Sequence, residues 1–182
     1  VCHTLNPRLA PDQLVYIVNH ASDRMLFIEK TFVPVIAGLR DQMPSIRGIV
    51  MLGARDDEAA AAIPGLLFHD ELLAEGDATA PWEALDENAP SSLCYTSGTT
   101  GNPKGVMLTH RNLVANVAQI RPLHGMVPDD VVLAVLPFFH IYGMTVLLNA
   151  ALHARARLVI MPSFDLAKFL GNIAEHRATI AF

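Results

Sequence analysis

Ten residues, Thr96-Ser-Gly-Thr-Thr-Gly-Asn-Pro-Lys-Gly105, gather three glycines, four hydroxyl side chains and a lysine. Glycine lets the backbone bend sharply and come close to a ligand. Successive N–H groups in such a bend form a concave site for anions. The hydroxyls of Thr96, Ser97, Thr99 and Thr100 add donors, and Lys104 adds a mobile positive charge suited to phosphate. The guest this chemistry fits is a polyphosphate, cradled by Thr96, Ser97, Gly98, Thr99, Thr100, Gly101 and Lys104. The spacing is not that of a Walker A loop, because only two residues separate Gly98 from Gly101 and Gly105 follows the lysine. It is not the dinucleotide fingerprint Gly-x-Gly-x-x-Gly either. Apolar runs on both sides, Leu93-Cys94-Tyr95 and Val106-Met107-Leu108, predict a loop between two strands, with little help from a helix dipole.

A second group is Pro137-Phe-Phe-His-Ile-Tyr-Gly143. His140 falls where a strand gives way to a helix. In a parallel α/β sheet, ligands collect at the carboxyl ends of strands. Position alone leaves His140 open between an active-site group and a hydrogen-bonded core histidine. His110, at a helix start, reads as a surface or capping residue. His3, His20, His69, His124, His153 and His176 show no metal-ligand spacing, and no metal-binding residue is assigned. A Gly-x-Ser-x-Gly elbow is absent, so a hydrolase triad has no support.

Tyr95 through Val106 resembles the phosphate-binding signature of the adenylate-forming superfamily. The 137–143 block is similar to the aromatic substrate-site motif of its acyl-CoA synthetase and 4-coumarate–CoA ligase branch, and Asn6-Pro7-Arg8-Leu9 resembles a further segment of that branch. The resemblance covers essentially the whole chain. It implies an ATP-dependent acid–CoA ligase: a carboxylate attacks the α-phosphate of ATP, pyrophosphate leaves, and coenzyme A displaces AMP from the acyl-adenylate. Lys104 and the loop, with Mg²⁺, would hold the β- and γ-phosphates. His140 would lie beside the substrate carboxylate, while Tyr142 and Gly143 would belong to the acyl or aryl pocket. Lys104 and His140 are thus the catalytic candidates. Peptide-synthetase adenylation domains usually carry aspartate where His140 stands, to pair with an ammonium, so histidine favours an acid without an α-amino group. The alternatives are a peptide-synthetase or luciferase-like adenylation domain, and a non-catalytic nucleotide-binding module. The resemblance further implies that the adenine-binding motif, the metal-coordinating glutamate, the ribose-binding aspartate and the small C-terminal domain lie beyond Phe182. These 182 residues alone are therefore expected to be inactive.

Composition bounds the rest. The 182 residues are 52% hydrophobic and 17% charged, with a formal net charge of −5. That suffices for a sizeable core. No block of Lys or Arg marks a nucleic-acid surface. The acidic balance is ordinary for a cytoplasmic protein, and the expected partners are a carboxylic acid, ATP and CoA. Cys2 and Cys94 are expected to be free thiols. The chain opens on Val1 and stops in an apolar run, as a fragment of a longer protein would. Val131–Ala154 is mostly apolar and long enough to span a bilayer, which takes about 20 residues. Pro137, His140, Gly143 and Asn149 interrupt it, so it reads as strand, turn and helix, with no transmembrane segment.

These motifs must be held by alternating elements. Leu14, Ile17, Val18 and Ala21 recur at helical spacing after Pro11. Met25–Ile28 reads as a buried strand. Phe32, Ile36, Leu39 and Met43 mark a second helix, and Ile46–Leu52 a strand. Residues 53–90 read as a connecting segment with one short helix near His69–Glu75, its Asp56-Asp57-Glu58 run a solvated face. After Val106–Leu108, Thr109 caps a helix with Leu113, Val117 and Ile120 inward. Val131–Leu136 is a strand, and Met144, Leu147, Leu148, Ala151 and Leu152 form a helical stripe. Leu158–Met161 is a strand, and Asp165 caps a helix with Leu166, Phe169, Leu170 and Ile173 on one face. Thr179–Phe182 begins another strand. This alternation predicts an α/β fold with a mostly parallel sheet and flanking helices, part of the N-terminal domain of an adenylate-forming enzyme. It also predicts an organisation of 1–52, 53–90 and 91–182.

Overall fold

Parallel strand pairing dominates the computed structural model, which describes residues 1–96 and 102–182. Ser97, Gly98, Thr99, Thr100 and Gly101 lie outside the described residues. The chain divides into two compact units.

One unit is built on Pro7–Ala84. Its sheet has the order β2 (Met25–Ile28), β3 (Gly48–Met51), β4 (Leu67–Phe68), all parallel. Helix α1 (Pro11–Ala21) carries Pro at its start, where a missing N–H costs nothing, and buries Leu14, Ile17 and Val18. Helix α2 (Val33–Leu39) sits between two 3₁₀ turns, Lys30–Phe32 and Arg40–Gln42. Strand β3 is buried from Ile49 to Met51, as a central strand requires. The expectation of a buried strand at 25–28 needs correction. Leu26 and Ile28 are buried while Met25 and Phe27 are exposed, because only one face of β2 is covered. The 53–90 stretch holds the expected helix, α4 (His69–Glu75), and also α3 (Asp57–Ala62) and β4. Asp56 is more than a solvated charge. Its carboxylate accepts the Ala59 N–H at 2.9 Å, capping α3, and pairs with the Lys30 ammonium.

The other unit comprises Val1–Asn6, Leu85–Thr96 and Lys104–Phe182. Strand β5 (Pro90–Thr96) pairs parallel with β1 (Cys2–Thr4) and antiparallel with β6 (Lys104–Thr109). The second sheet has the order β8 (Arg157–Ile160), β7 (Val131–Ala134), β9 (Ile180–Ala181), all parallel. Central β7 is buried throughout. Helix α5 (His110–His124) begins with a reciprocal capping box. The Asn112 N–H donates to the Thr109 hydroxyl at 3.1 Å and the Thr109 N–H to Asn112 Oδ1 at 3.0 Å. The core of this unit joins Val117 of α5 and Met126 to Val132 and Ala134 of β7 and to Leu147 and Ala151.

Two expected stripes shift. The helix after residue 140 is a π-helix over Gly143–Asn149 before it continues as α6 (Ala150–Ala154). A π turn holds more residues than an α turn, so the buried face moves. Met144 to Leu147, Ala150 and Ala151 are buried, and Leu152 is left 61% exposed. Helix α7 (Leu166–His176) has its Asp165 cap, with the Lys168 N–H at 2.8 Å, but none of its residues is buried. On its apolar face Phe169 and Ile173 are half-buried, while Leu166 and Leu170 are exposed.

Two local features hold this unit. Asp130 Oδ2 accepts the Val127 N–H at 2.7 Å, and Oδ1 accepts the Thr179 hydroxyl at 2.7 Å. The Thr179 oxygen in turn accepts the Val131 N–H at 3.0 Å, linking the starts of β7 and β9. These donors, the Val127 N–H first, hold the Asp130 carboxyl below its ordinary 3.8. A depressed folded value means that the stabilisation is present above the unfolded pKa and is lost as pH falls through the folded one. Asp130→Asn should therefore flatten the acid limb of stability below about pH 4. Urea midpoints across pH test this, and equal slopes for both proteins would contradict it. The second feature is Gly143, where an added Cβ would stand 2.3 Å from the Pro137 carbonyl oxygen. Gly143→Ala should destabilise the protein by roughly 1–3 kcal/mol through forced backbone movement. Calorimetry showing an unshifted melting temperature would count against this close approach.

Candidate active site

The 96–105 segment is carried by a β-hairpin. In the antiparallel register of β5 and β6, Thr96 lies opposite Lys104 and Tyr95 opposite Gly105. Thr96 and Lys104 are both exposed, and the five residues Ser97 to Gly101 lie outside the described residues. Gly105 is needed for packing: a Cβ there would meet the Tyr95 ring at 3.0 Å and the Leu93 side chain at 3.1 Å. The Lys104 ammonium pairs with no carboxylate among the described residues. A long flexible cation at a strand end beside a Gly/Thr-rich connection suits an incoming anion.

The second expected group sits on the turn that follows β7. The His140 N–H donates to the Pro137 carbonyl at 3.1 Å, and the Met144 N–H donates to the His140 carbonyl at 2.9 Å. The imidazole closes the turn: its Nδ1 accepts the Tyr142 N–H at 3.2 Å. Because Nδ1 is the acceptor, the neutral ring carries its proton on Nε2, the nitrogen left to meet a ligand. The His140 side chain is exposed. Gly143, directly below, leaves no room for a side chain against the Pro137 backbone.

Tyr142 is 40% exposed and meets Phe182 edge-on, with ring centroids 6.0 Å apart. Phe182 meets His124 in the same manner at 5.0 Å. These edge-to-face contacts orient the rings. The local sequence did not reveal Phe182 and His124 as neighbours of this candidate turn. The signal for Phe182 was topological: β7 and β9 are adjacent and parallel, so their carboxyl ends, carrying Tyr142 and Phe182, open on one side. A further contact reaches this turn from another sheet, the Thr4 hydroxyl donating to the Phe139 carbonyl at 3.3 Å.

The described residues contain no group of three or more His, Cys, Asp or Glu side chains able to hold a metal ion. Cys94 is buried and its thiol is pushed above the ordinary range by that burial. Cys2 and Cys94 are both free. Among the described residues, no helix is long and apolar enough to cross a membrane.

The chain is 45% identical to a 3-methylmercaptopropionyl-CoA ligase of Ruegeria pomeroyi, over all of this chain and 34% of the relative. It is 38% identical to a medium-chain-fatty-acid–CoA ligase of Ectopseudomonas oleovorans, again over all of this chain and 34% of the relative. It thus spans about a third of the length of these curated relatives. Among solved structures, a long-chain-fatty-acid–CoA ligase from Archaeoglobus fulgidus shares the fold, with a TM-score of 0.85 at 22% identity over 98% of this chain and 34% of that one. ATP-bound MatB from Rhodopseudomonas palustris gives 0.72 at 29% identity over 97% and 33%. The family model described as AMP-binding enzyme matches residues 1–182. With that match over its whole length, the chain belongs to the AMP-binding enzyme family.

Proposed function

We propose that these residues serve an ATP-dependent acid–CoA ligase, which joins a fatty, aryl or similar plain carboxylic acid to coenzyme A through an acyl-adenylate and releases AMP and pyrophosphate. The observation that carries the reading is the pairing of Thr96 with Lys104 across the β5–β6 hairpin. It puts a cation and a hydroxyl at the two ends of a connection rich in glycine and threonine. The first half-reaction brings a carboxylate to a polyphosphate, two anions, so neutralising charge and holding the groups in line are the main tasks. Thr96, Ser97, Gly98, Thr99, Thr100, Gly101 and Lys104 hold the phosphates in this reading. His140, with its proton on Nε2, donates to an oxygen at the reacting carboxyl or adenylate. Tyr142 and Gly143 border the tail of the acid. Similarity to ligases named for 3-methylmercaptopropionyl-CoA and for medium-chain fatty acids supports an acid without an α-amino group. Mg²⁺ is expected with ATP, but the described residues do not assemble a set of metal ligands for it. No step is assigned to it. The 182 residues alone supply only part of this machinery and are inactive in this reading.

Two substitutions in the full-length protein test it. Lys104→Ala should slow adenylate formation about ten- to a hundredfold, the worth of one charge-assisted contact of about 1.5–3 kcal/mol. The KM for the acid should change far less. An unchanged adenylation rate would remove Lys104 from the phosphate site. His140→Asp places a carboxylate where the acid's own carboxylate approaches. Adenylation of a plain fatty or aryl acid should collapse, whereas an amino acid should be disfavoured less. Full activity of this variant on plain acids would show that His140 does not face the substrate.

A further inference from the structure

The turn that carries His140 is tied to a strand more than a hundred residues away in sequence. Thr4 is the last residue of β1, and its hydroxyl donates to the carbonyl of Phe139, the residue just before His140, at 3.3 Å in a half-buried setting. Thr4 and Cys94 are direct partners in the parallel register of β1 and β5. Cys94 stands two residues before Thr96, where β5 ends and the phosphate-loop candidate begins. Thr4 is thus paired with the strand that enters that loop, while its hydroxyl holds the backbone from which His140 projects.

The strand itself has no need of this hydroxyl. A β-branched residue of the same shape, valine, fits a pleated strand equally well. The backbone pairing of Thr4 with β5 would survive the exchange. The bond matters at its other end. The imidazole of His140 is already fixed to its own turn by the Tyr142 N–H, so wherever the Phe139–His140 backbone goes, the ring goes too. A bond to the Phe139 carbonyl therefore sets the height and tilt of a rigid unit, and small displacements of such a unit weigh heavily on an in-line reaction.

We propose that Thr4 is a positioning residue. Its hydroxyl holds the Phe139 carbonyl, and through it His140, at a fixed place relative to strand β5. The proposal rests on the reading of His140 as a group that meets the substrate, so the test measures both. In the full-length protein, adenylation kinetics are compared for wild type, Thr4→Val, Thr4→Ser, His140→Ala and the Thr4→Val/His140→Ala double variant. Thr4→Val should lower kcat for adenylation about three- to tenfold, the loss of one hydrogen bond, with the KM for ATP unchanged. Thr4→Ser should restore the rate, since it keeps the donor. In the His140→Ala background, Thr4→Val should have no further effect, because the group it positions is gone. A His140→Ala protein of normal activity overturns both readings. An impaired His140→Ala protein beside a normal Thr4→Val, or beside effects that multiply in the double variant, overturns the Thr4 proposal alone. A Thr4→Ser protein as slow as Thr4→Val also overturns it, since the hydroxyl would then not be the cause.

Discussion

The carbonyl of Pro137 and the α-carbon of Gly143 approach so closely that no side chain fits between them. An ideal Cβ at 143 would lie 2.3 Å from the Pro137 oxygen and 2.9 Å from its carbonyl carbon. This contact closes the turn after β7 and lets the following helix start at once beneath it. The π-helix over Gly143–Asn149 then packs Met144, Val146 and Leu147 into the core, below an exposed His140 and Tyr142. The turn that carries His140 and the core of this unit are therefore one piece of backbone. A π-helix interrupts regular hydrogen bonding and is common where function dictates the path of the chain.

The two groups of candidate residues differ in chemistry. The hairpin end is polar and cationic, with Thr96 facing Lys104 in register. The turn end is aromatic, with Tyr142 against Phe182 and Phe182 against His124. His140 differs from both: its turn binds one ring nitrogen and leaves the other as a donor. A substrate with an anionic head and an apolar tail matches such a division, as an acyl group joined to a nucleotide does.

Local rules made much of this legible. Pro11, Thr109 and Asp165 marked three helix starts, and each stands at or next to the start of a helix. The strand expected at Val131–Leu136 was clear because a central parallel strand is apolar on both faces, although it ends at Ala134. What failed depended on distant partners. The two apolar residues Met25 and Phe27 looked buried, but burial is decided by the elements packed on a face and not by the strand itself. The stripe after residue 143 was drawn with α-helical spacing, and the π-helix changed which residues point inward. Asp56 read as one of three surface charges until Lys30 and the Ala59 N–H came to it from elsewhere. The motif residues Lys104, His140, Tyr142 and Gly143 were visible as a pattern. Thr4 and Phe182 were not, since their tie to that pattern exists only in three dimensions.

The central claim is that this chain belongs to a protein that activates plain carboxylic acids by adenylation. Acid-dependent exchange of labelled pyrophosphate into ATP measures that step directly, using the full-length protein and a panel of short thioether, medium-chain, aryl and amino acids. The account predicts exchange that requires a plain acid, followed by thioester formation and AMP release when CoA is added. Exchange supported only by amino acids, or no exchange with any acid while ATP still binds, would contradict it.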